Sequence, residues 1–229
     1  MHLVRLNSVP IFQQLELEEA ILRAGTGEWL IVNTGAPPAI VMGISGKPEE
    51  LVEPHSTLPM IKRFSGGGCV VIDEETVFVT MIGDMESPNP CKIHCHAETH
   101  LKKALFNLPF ALKQNDYILD DKKFGGNAQY ITKNRFLHHT SLLWDYNPER
   151  MSLLKNPKKQ PEYRQNRPHH DFLTSLHPHF PSKEDFILQL LSYFLKQPDP
   201  IVPAPEDLGK ILSQPHRRSL KYVSLPELA

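Results

Sequence analysis

Two glycine-containing segments carry the residue types that are best suited to chemistry. The first, residues 63–73, sets Gly66, Gly67 and Gly68 between basic Arg63 and a β-branched run that begins at Cys69. Glycine lacks a Cβ and tolerates positive φ, so such a loop can run against a ligand and direct several N–H groups at it. The loop suits an anion or a carbonyl oxygen, although a triple glycine by itself is most often a turn.

The second segment, residues 123–129, adds a lysine. Residues 115–119 are typical of a short strand, residues 120–121 of a turn, and residues from Lys122 onward of a returning strand. The pattern predicts a β-hairpin with Lys123 just past its tip. Gly125 and Gly126 would leave open space beside the ammonium group, which could neutralise a carboxylate or phosphoryl oxygen. From composition alone, a solvated hairpin lysine is the simpler alternative.

The elements that must position these segments follow a mixed order along the chain. The pattern predicts an α/β (α+β) fold with a mixed central β-sheet flanked by helices. In the first helix, we expect a glutamate-rich face to point to water. The predicted helices span 10–23, 90–107 and 183–195, the last with Ser182 as its N-cap, and the predicted strands span 29–32, 40–44, 69–72, 77–82, 116–119, 123–132 and 135–143.

Length and composition indicate one enzyme-sized domain. The 229 residues, 40% of them hydrophobic, can bury one substantial core. We expect a catalytic domain at 1–196 and a proline-containing tail at 197–229, without a separate accessory domain. The net charge of −1 argues against nucleic acid as a partner, and no apolar run is long enough for a membrane span. Three cysteines favour reduced thiols and a cytoplasmic protein, or an organelle stroma or matrix if a presequence has been removed.

Two further segments allow competing interpretations. His94, His96 and His100, with Cys91 and Cys95, could hold a metal ion, but a polar helix face is favoured because no second ligand pair with zinc-type spacing follows. The basic, proline-broken segment 155–167 is a loop. It could lie near a bound nucleotide or meet an acidic partner, or it could be only a solvated loop.

The two glycine segments, in this order, resemble motifs of a known family. Residues 62–73 (KRFSGGGCVVID) match an RRxSGGGxVxHD-like loop, and residues 123–129 (KFGGNAQ) match a KxSGxA-like segment. Residues 138–143 (HHTSLL) match HHGTLL, residues 40–43 match a strand that ends in glycine, and residues 114–116 match RND. Over roughly residues 10–195, the chain resembles the biotin/lipoate A/B protein ligase family, most of all its lipoate–protein ligase A catalytic domains.

The resemblance implies a two-step reaction. With ATP and Mg²⁺, lipoate would become lipoyl-AMP, and a lysine of an acceptor lipoyl domain would then take the acyl group. It implies as acceptors the lipoyl domains of 2-oxoacid dehydrogenase complexes or the glycine cleavage H protein, and it allows for a partner chain that supplies an accessory domain. It also implies Lys123 as the catalytic residue, Asn115 and Asp116 as nucleotide-binding residues, Asp116 as a metal ligand, and Arg63, Ser65, Gly66, Gly67, Gly68, Gly43, Gly126, Asn127, Ala128 and His139 as substrate-binding residues.

Departures from the motifs keep two alternatives open. Lys62 stands where the loop motif has its first arginine, and Ile72 stands where it has histidine. These changes are the main support for a non-catalytic protein that only binds lipoate or a lipoyl domain. An ATP-independent octanoyl or lipoyl transferase would need a cysteine nucleophile, and Cys69 is the one cysteine near the predicted ligand loop.

Overall fold

A seven-stranded mixed β-sheet forms the centre of the molecule. The computed structural model describes residues 1–226. In spatial order, the strands are β1 (His2–Leu6), β2 (Trp29–Asn33), β6 (Thr76–Asp84), β10 (Arg135–Leu143), β9 (Lys122–Ile131), β8 (Asp116–Leu119) and β7 (Ala111–Lys113). Strands β1 and β2 pair in parallel, and the other neighbouring strands pair antiparallel.

A smaller sheet and the helices complete the fold. The small sheet contains, in order, β11 (Lys221–Val223), β4 (Met60–Lys62), β3 (Ala39–Met42) and β5 (Cys69–Ile72). The longer helices are α1 (Ile11–Ala24), α3 (Pro90–Ala104), α6 (Lys183–Leu195) and α7 (Pro205–Ser213), and the short ones are α2 (Pro48–Leu51), α4 (Pro148–Met151) and α5 (His169–Phe172). Single 3₁₀ turns occur at Glu162–Arg164 and His177–His179.

Strand β2 of the large sheet is buried along its whole length, which explains why it is almost entirely apolar. In β2, Leu30 and Val32 pack towards α3 and α6, whereas Trp29 and Ile31 pack towards α1 and the small sheet. Successive strand residues point to opposite faces, so a strand covered on both sides reads as a continuous hydrophobic run. The predicted mixed sheet with flanking helices is confirmed.

The predicted hairpin is confirmed as the pairing of β8 with β9. Its turn places Asp120 at φ +53°, a conformation that aspartate tolerates better than most residues. Lys123 pairs with Ile118 across the hairpin, next to a register shift at Tyr117. Lys123 is thus held on a sheet strand close to the tip.

Two predictions about the elements need adjustment. The predicted strand 40–44 ends at Met42, because Gly43 turns towards the glycine loop and Ile44 is exposed. The prediction that the glutamates of α1 face water is wrong for Glu18 and Glu19, whose exposed fractions are 0% and 1%. Both carboxylates accept internal hydrogen bonds, which the 3.6-residue period of the helix cannot reveal.

The C-terminal segment folds onto the rest of the molecule as far as the structure describes it. Helix α7 contacts α1, and β11 adds the outer strand of the small sheet. The N–H of Ser219 donates to both carboxylate oxygens of Glu19, at 2.9 and 3.2 Å. Among residues 1–226, no helix combines the length and apolar character needed to cross a membrane.

Four histidines meet between α3 and the large sheet. The rings of His94 and His138 lie 5.3 Å apart, and those of His96 and His100 lie 4.7 Å apart. Burial lowers the pKa of all four below the ordinary value, and most strongly for His138, whose exposed fraction is 1%. Within the described part of the chain, no three of the potential ligands converge as a metal site would require.

We predict that this cluster makes folding sensitive to acid. A histidine whose pKa is lowered in the folded state binds fewer protons there, so its contribution to stability is present above the unfolded pKa of 6.5 and is lost below it. Because the pKa of His138 is lowered most strongly of the four, the free energy of unfolding should be smaller at pH 5.5 than at pH 7.5. Urea unfolding at both pH values measures this loss.

The matched variants are His138→Asn and His55→Asn, since His55 is exposed. The His138 variant should show a smaller drop in stability between the two pH values than the wild type, whereas the His55 variant should match the wild type. An equal pH dependence in all three proteins would contradict the prediction.

Candidate active site

A cavity of about 980 Å³ lies between α1, the glycine loop and the strands β9 and β10. This volume falls within the usual range for small-ligand sites. The remaining lining comes from residues of segments 45–51, 114–116 and 154–172. One cavity therefore joins most of the elements to which the sequence motifs belong.

Arg63 organises the glycine loop from within. Its guanidinium donates to the carbonyls of Val41 (3.3 Å), Gly66 (2.7 Å) and Gly68 (3.1 Å), and its Nε donates to Ser65 Oγ (3.0 Å). Burial lowers the pKa of Arg63 to about 10, so the side chain stays charged at neutral pH. Most of its donors are used to shape the loop, although the residue also lines the cavity.

Two glycines make this loop geometry possible. A Cβ on Gly43 would lie 2.3 Å from the carbonyl oxygen of Gly67, a backbone atom that cannot give way cheaply. Gly67 itself has φ +99°, which side chains rarely permit. Gly43 thus belongs to the support of the loop.

A buried hydrogen-bond chain leads from the loop to α1. Ser65 Oγ lies 2.8 Å from His139 Nε2, and His139 Nδ1 lies 3.0 Å from Glu18 Oε2. Because Arg63 Nε can only donate to Ser65 Oγ, the serine proton is free for His139 Nε2. These contacts fit an imidazole whose Nδ1 donates its proton to Glu18.

Glu18 is the fully buried end of this chain. Its Oε1 accepts from Gln14 Nε2 at 2.7 Å and from Thr80 Oγ1 at 2.6 Å. Gln14 Oε1 in turn accepts from Asn33 Nδ2 at 3.0 Å. The polar atoms of this region are therefore matched with one another, which removes the cost of burying them.

The cavity has an apolar part and a basic part. Among its apolar lining residues are Ile11, Leu15, Val41, Ile72 and Phe78. The basic part includes Lys47, Lys155, Lys158, Lys159 and Arg164. The sequence allowed segment 155–167 to be either a loop near the ligand or a solvated loop. In the structure, this segment contributes four basic residues to the cavity wall.

Lys123 lies in the cavity wall as an ion pair with Asp116. The distance from Lys123 Nζ to Asp116 Oδ1 is 2.8 Å, and the lysine side chain is 21% exposed. A Cβ on Gly126 would lie 2.9 Å from Lys123 Nζ, whereas Gly125 packs against Tyr117 and Leu142. The space beside the ammonium group, expected to be open for a substrate, is therefore partly filled by the side chain of Lys123 itself.

His169 is a cavity residue that no motif indicated. Burial, with further contributions from Arg164 and Lys123, lowers its pKa to about 4. At neutral pH, His169 is therefore uncharged and adds no further positive charge to the site.

Asp116 does not fit a magnesium ligand in this arrangement. Its Oδ1 is paired with Lys123, and its Oδ2 accepts from the hydroxyl of Tyr163 at 2.8 Å. Magnesium in nucleotide sites usually uses one or two protein carboxylates with free oxygens. Among residues 1–226, no cluster of three acidic, histidine or cysteine side chains offers an alternative.

Cys69 also lines the cavity, but its thiol is poorly suited to nucleophilic attack. Burial raises its pKa to about 12, against a smaller opposing effect of Arg63. A nucleophilic cysteine needs a substantial thiolate fraction near neutral pH. The environment of Cys69 is that of a structural thiol.

The structure brings together most, but not all, of the predicted site residues. Ser65, Gly66 and Gly43 do not line the cavity: Ser65 and Gly43 are buried beneath the loop, and Gly66 is exposed. Residues that the sequence did not single out include Gln14, Glu18 and His169. The predicted residues that line the cavity are Arg63, Gly67, Gly68, Asn115, Asp116, Lys123, Gly126, Asn127, Ala128 and His139.

The family resemblance seen in the motifs is confirmed by comparison with known proteins. A family model described as the lipoyl protein ligase A/B catalytic domain matches residues 10–195. A Plasmodium falciparum protein named inactive lipoate–protein ligase 2 is 26% identical over 264 aligned positions, which cover 84% of this chain and 68% of that protein. It is that relative which is named inactive.

Solved structures show the same fold. A lipoate–protein ligase A bound with ATP has a TM-score of 0.75 and 16% identity, over 92% of each chain. A bipartite lipoate protein ligase from Thermoplasma acidophilum, described with its E2 lipoyl domain, has a TM-score of 0.76 and 17% identity. That likeness covers 92% of this chain and 89% of the other.

We predict that Cys69 resists alkylation in the folded protein. With a pKa of about 12, only about one thiol in ten thousand would be ionised at pH 8. Brief treatment with iodoacetamide at pH 8 should modify the exposed Cys91 and Cys95 and leave Cys69 unmodified in peptide mass spectra. Denaturant should make all three cysteines react. Modification of native Cys69 at the rate of Cys91 would contradict the assignment.

Proposed function

The chain belongs to the lipoyl protein ligase A/B catalytic-domain family, and we propose that it acts as a lipoate–protein ligase. The lipoate carboxylate attacks the α-phosphate of ATP, so that lipoyl-AMP forms and pyrophosphate leaves. A lysine amine of an acceptor lipoyl domain then attacks the acyl carbon, an amide forms and AMP leaves. The observation that carries the proposal is a single cavity lined by apolar residues, basic residues and Lys123.

The apolar part of the cavity supports a hydrocarbon acyl chain as its ligand. Ile72 and Phe78 contribute carbon surface there. The neighbouring polar groups of Gln14, Glu18 and His139 already have internal partners. An acyl chain suits this apolar surface, because its binding removes carbon surface from water.

The basic residues support the nucleotide half of the reaction. Triphosphate carries several negative charges, and cationic side chains around a partly enclosed site stabilise such charge. Lys155, Lys158, Lys159 and Arg164 line the cavity from one segment, and Lys47, at the start of α2, lines it as well. Mg²⁺ would accompany the triphosphate, whose oxygens would supply most of its ligands.

Lys123 is the residue proposed to act on the reacting groups. Its ammonium would donate to the acyl or phosphate oxygen on which negative charge develops. The protein would then contribute mainly by holding carboxylate, phosphate and amine in line. Asp116 balances the charge of Lys123.

The acceptor we propose is a lipoyl domain. The support is the family itself and the relative from T. acidophilum, which is described with its E2 lipoyl domain. The basic residues of segment 155–167 would complement an acidic acceptor surface, a kind of match that speeds association. Lipoyl domains of 2-oxoacid dehydrogenases and the glycine cleavage H protein are the acceptors to test.

A non-catalytic binding protein is the second candidate function. Lys62 and Ile72 depart from the family motif, and Lys123 is already paired with Asp116. The transferase alternative is less well supported, because it needs a reactive Cys69 and burial keeps that thiol protonated.

We expect lipoate-dependent release of pyrophosphate before any acceptor is added. The protein is incubated with ATP and Mg²⁺, with and without lipoate, and pyrophosphate is measured by a coupled assay. Release that depends on lipoate supports the adenylating ligase. Absence of release, together with lipoate binding measured by calorimetry, would overturn the proposal in favour of the binding protein.

The Lys123→Ala variant should lose this activity. Removing one charged donor from developing negative charge typically costs about 100-fold or more in rate. Lys122→Ala is the matched control, because Lys122 is the neighbouring residue and is exposed. Lys123→Gln, which keeps a donor for Asp116, separates loss of catalysis from loss of folding. Normal turnover by both Lys123 variants would remove the central residue of the proposal.

A further inference from the structure

Tyr163 lies outside every motif, yet its hydroxyl contacts the carboxylate that holds Lys123. The hydroxyl donates to Asp116 Oδ2 at 2.8 Å, while Asp116 Oδ1 faces Lys123 Nζ at 2.8 Å. Tyr163 and Asp116 are each 8% exposed. Both carboxylate oxygens are therefore engaged by side chains in a nearly dry environment, where such contacts are strong.

Tyr163 is itself fixed from several directions. Arg167 Nη2 donates to the carbonyl of Tyr163 at 3.0 Å, and Arg167 Nη1 pairs with Asp121 at 2.7 Å. The centre of the Tyr163 ring lies 5.3 Å from that of Phe172. Lys113 Nζ lies over the face of the tyrosine ring, 5.1 Å from its centre. Because Asp121 belongs to the turn between β8 and β9, the tyrosine is tied to the same hairpin that carries Lys123.

Lys123 has few other constraints. Its side chain extends over Gly126, which offers no atoms beyond the backbone to hold it. A lysine has several freely rotating bonds, so an ion pair with a mobile carboxylate would order it poorly. A carboxylate whose second oxygen is held in place offers the ammonium one defined position.

We infer that Tyr163 is a positioning residue for Lys123, and that it acts through Asp116. The inference rests on the proposed function only in taking Lys123 as the residue that acts on the acyl-adenylate. The contacts from Tyr163 to Asp116 and from Asp116 to Lys123 are observed directly, without reference to the identity of the substrate. Tyr163 itself need not touch a substrate.

The test compares Tyr163→Phe with Tyr117→Phe in the full chain. Tyr163→Phe keeps the ring and removes only the hydroxyl that Asp116 accepts. Tyr117 is the matched control because it neighbours Asp116 on β8 and its buried hydroxyl has no partner among residues 1–226. Both substitutions remove one oxygen atom from a buried aromatic side chain.

The first readout is the reactivity of Lys123 itself. Trace acetylation with acetic anhydride at one pH, read by fragment mass spectrometry, measures each lysine against Lys102 as an internal reference. Tyr163→Phe should raise the acetylation of Lys123 about threefold or more, because the ion pair that shields the amine is loosened. Tyr117→Phe should leave it at the wild-type level.

The route through Asp116 is tested by combining substitutions. Asp116→Asn should raise the acetylation of Lys123 at least as much as Tyr163→Phe does. Adding Tyr163→Phe to Asp116→Asn should produce no further rise, because the tyrosine no longer has a charge to position. An unchanged or lower Lys123 acetylation in Tyr163→Phe, or fully additive effects in the double variant, would overturn the inference.

The second readout separates this inference from the proposed function. If lipoate-dependent pyrophosphate release is found, Tyr163→Phe should lower kcat about tenfold and leave the KM for lipoate within about twofold of wild type, because misplaced catalytic groups lower the rate more than binding. The acetylation experiment needs neither ATP, lipoate nor acceptor. A protein without ligase activity can therefore still support or overturn the role of Tyr163.

Discussion

The site depends on two buried side chains, Arg63 and Glu18, that are linked through other residues and do not contact each other directly. Arg63 is 6% exposed and Glu18 is fully buried, and Ser65 and His139 link them in one hydrogen-bond chain. Each charge would be costly to bury alone. Together they attach the glycine loop to α1 across β10, so the two walls of the cavity are fixed relative to one another.

The large sheet distributes the rest of the chemistry through its register. Ala128 pairs with His139, and Gly126 pairs with Ser141, so residues of two motifs that are distant in sequence become neighbours across β9 and β10. Asp116 pairs with Gly126 on the other side of β9. A sheet covered on both faces holds such a register firmly, because a one-residue slip would turn every buried side chain to the wrong face.

The motif residues divide into those that face the cavity and those that build its wall. Gly43 and Ser65 belong to the second group, and Arg63 serves mostly there because its donors go to loop carbonyls. Gly126 makes room for Lys123. A residue required by a motif can therefore be required by the architecture, and only its hydrogen bonds decide which role it has.

The sequence by itself determined the fold class, the hairpin with Lys123, the glycine loop and the family, because hydrophobic period, turn residues and glycine runs are local signals. It did not reveal that Glu18 would be buried, that His169 would line the cavity or that Tyr163 would contact Asp116. Those facts depend on contacts between segments far apart in the chain. A buried glutamate and an exposed one look alike in a helix pattern, since burial is decided by the partner that the tertiary structure brings to it.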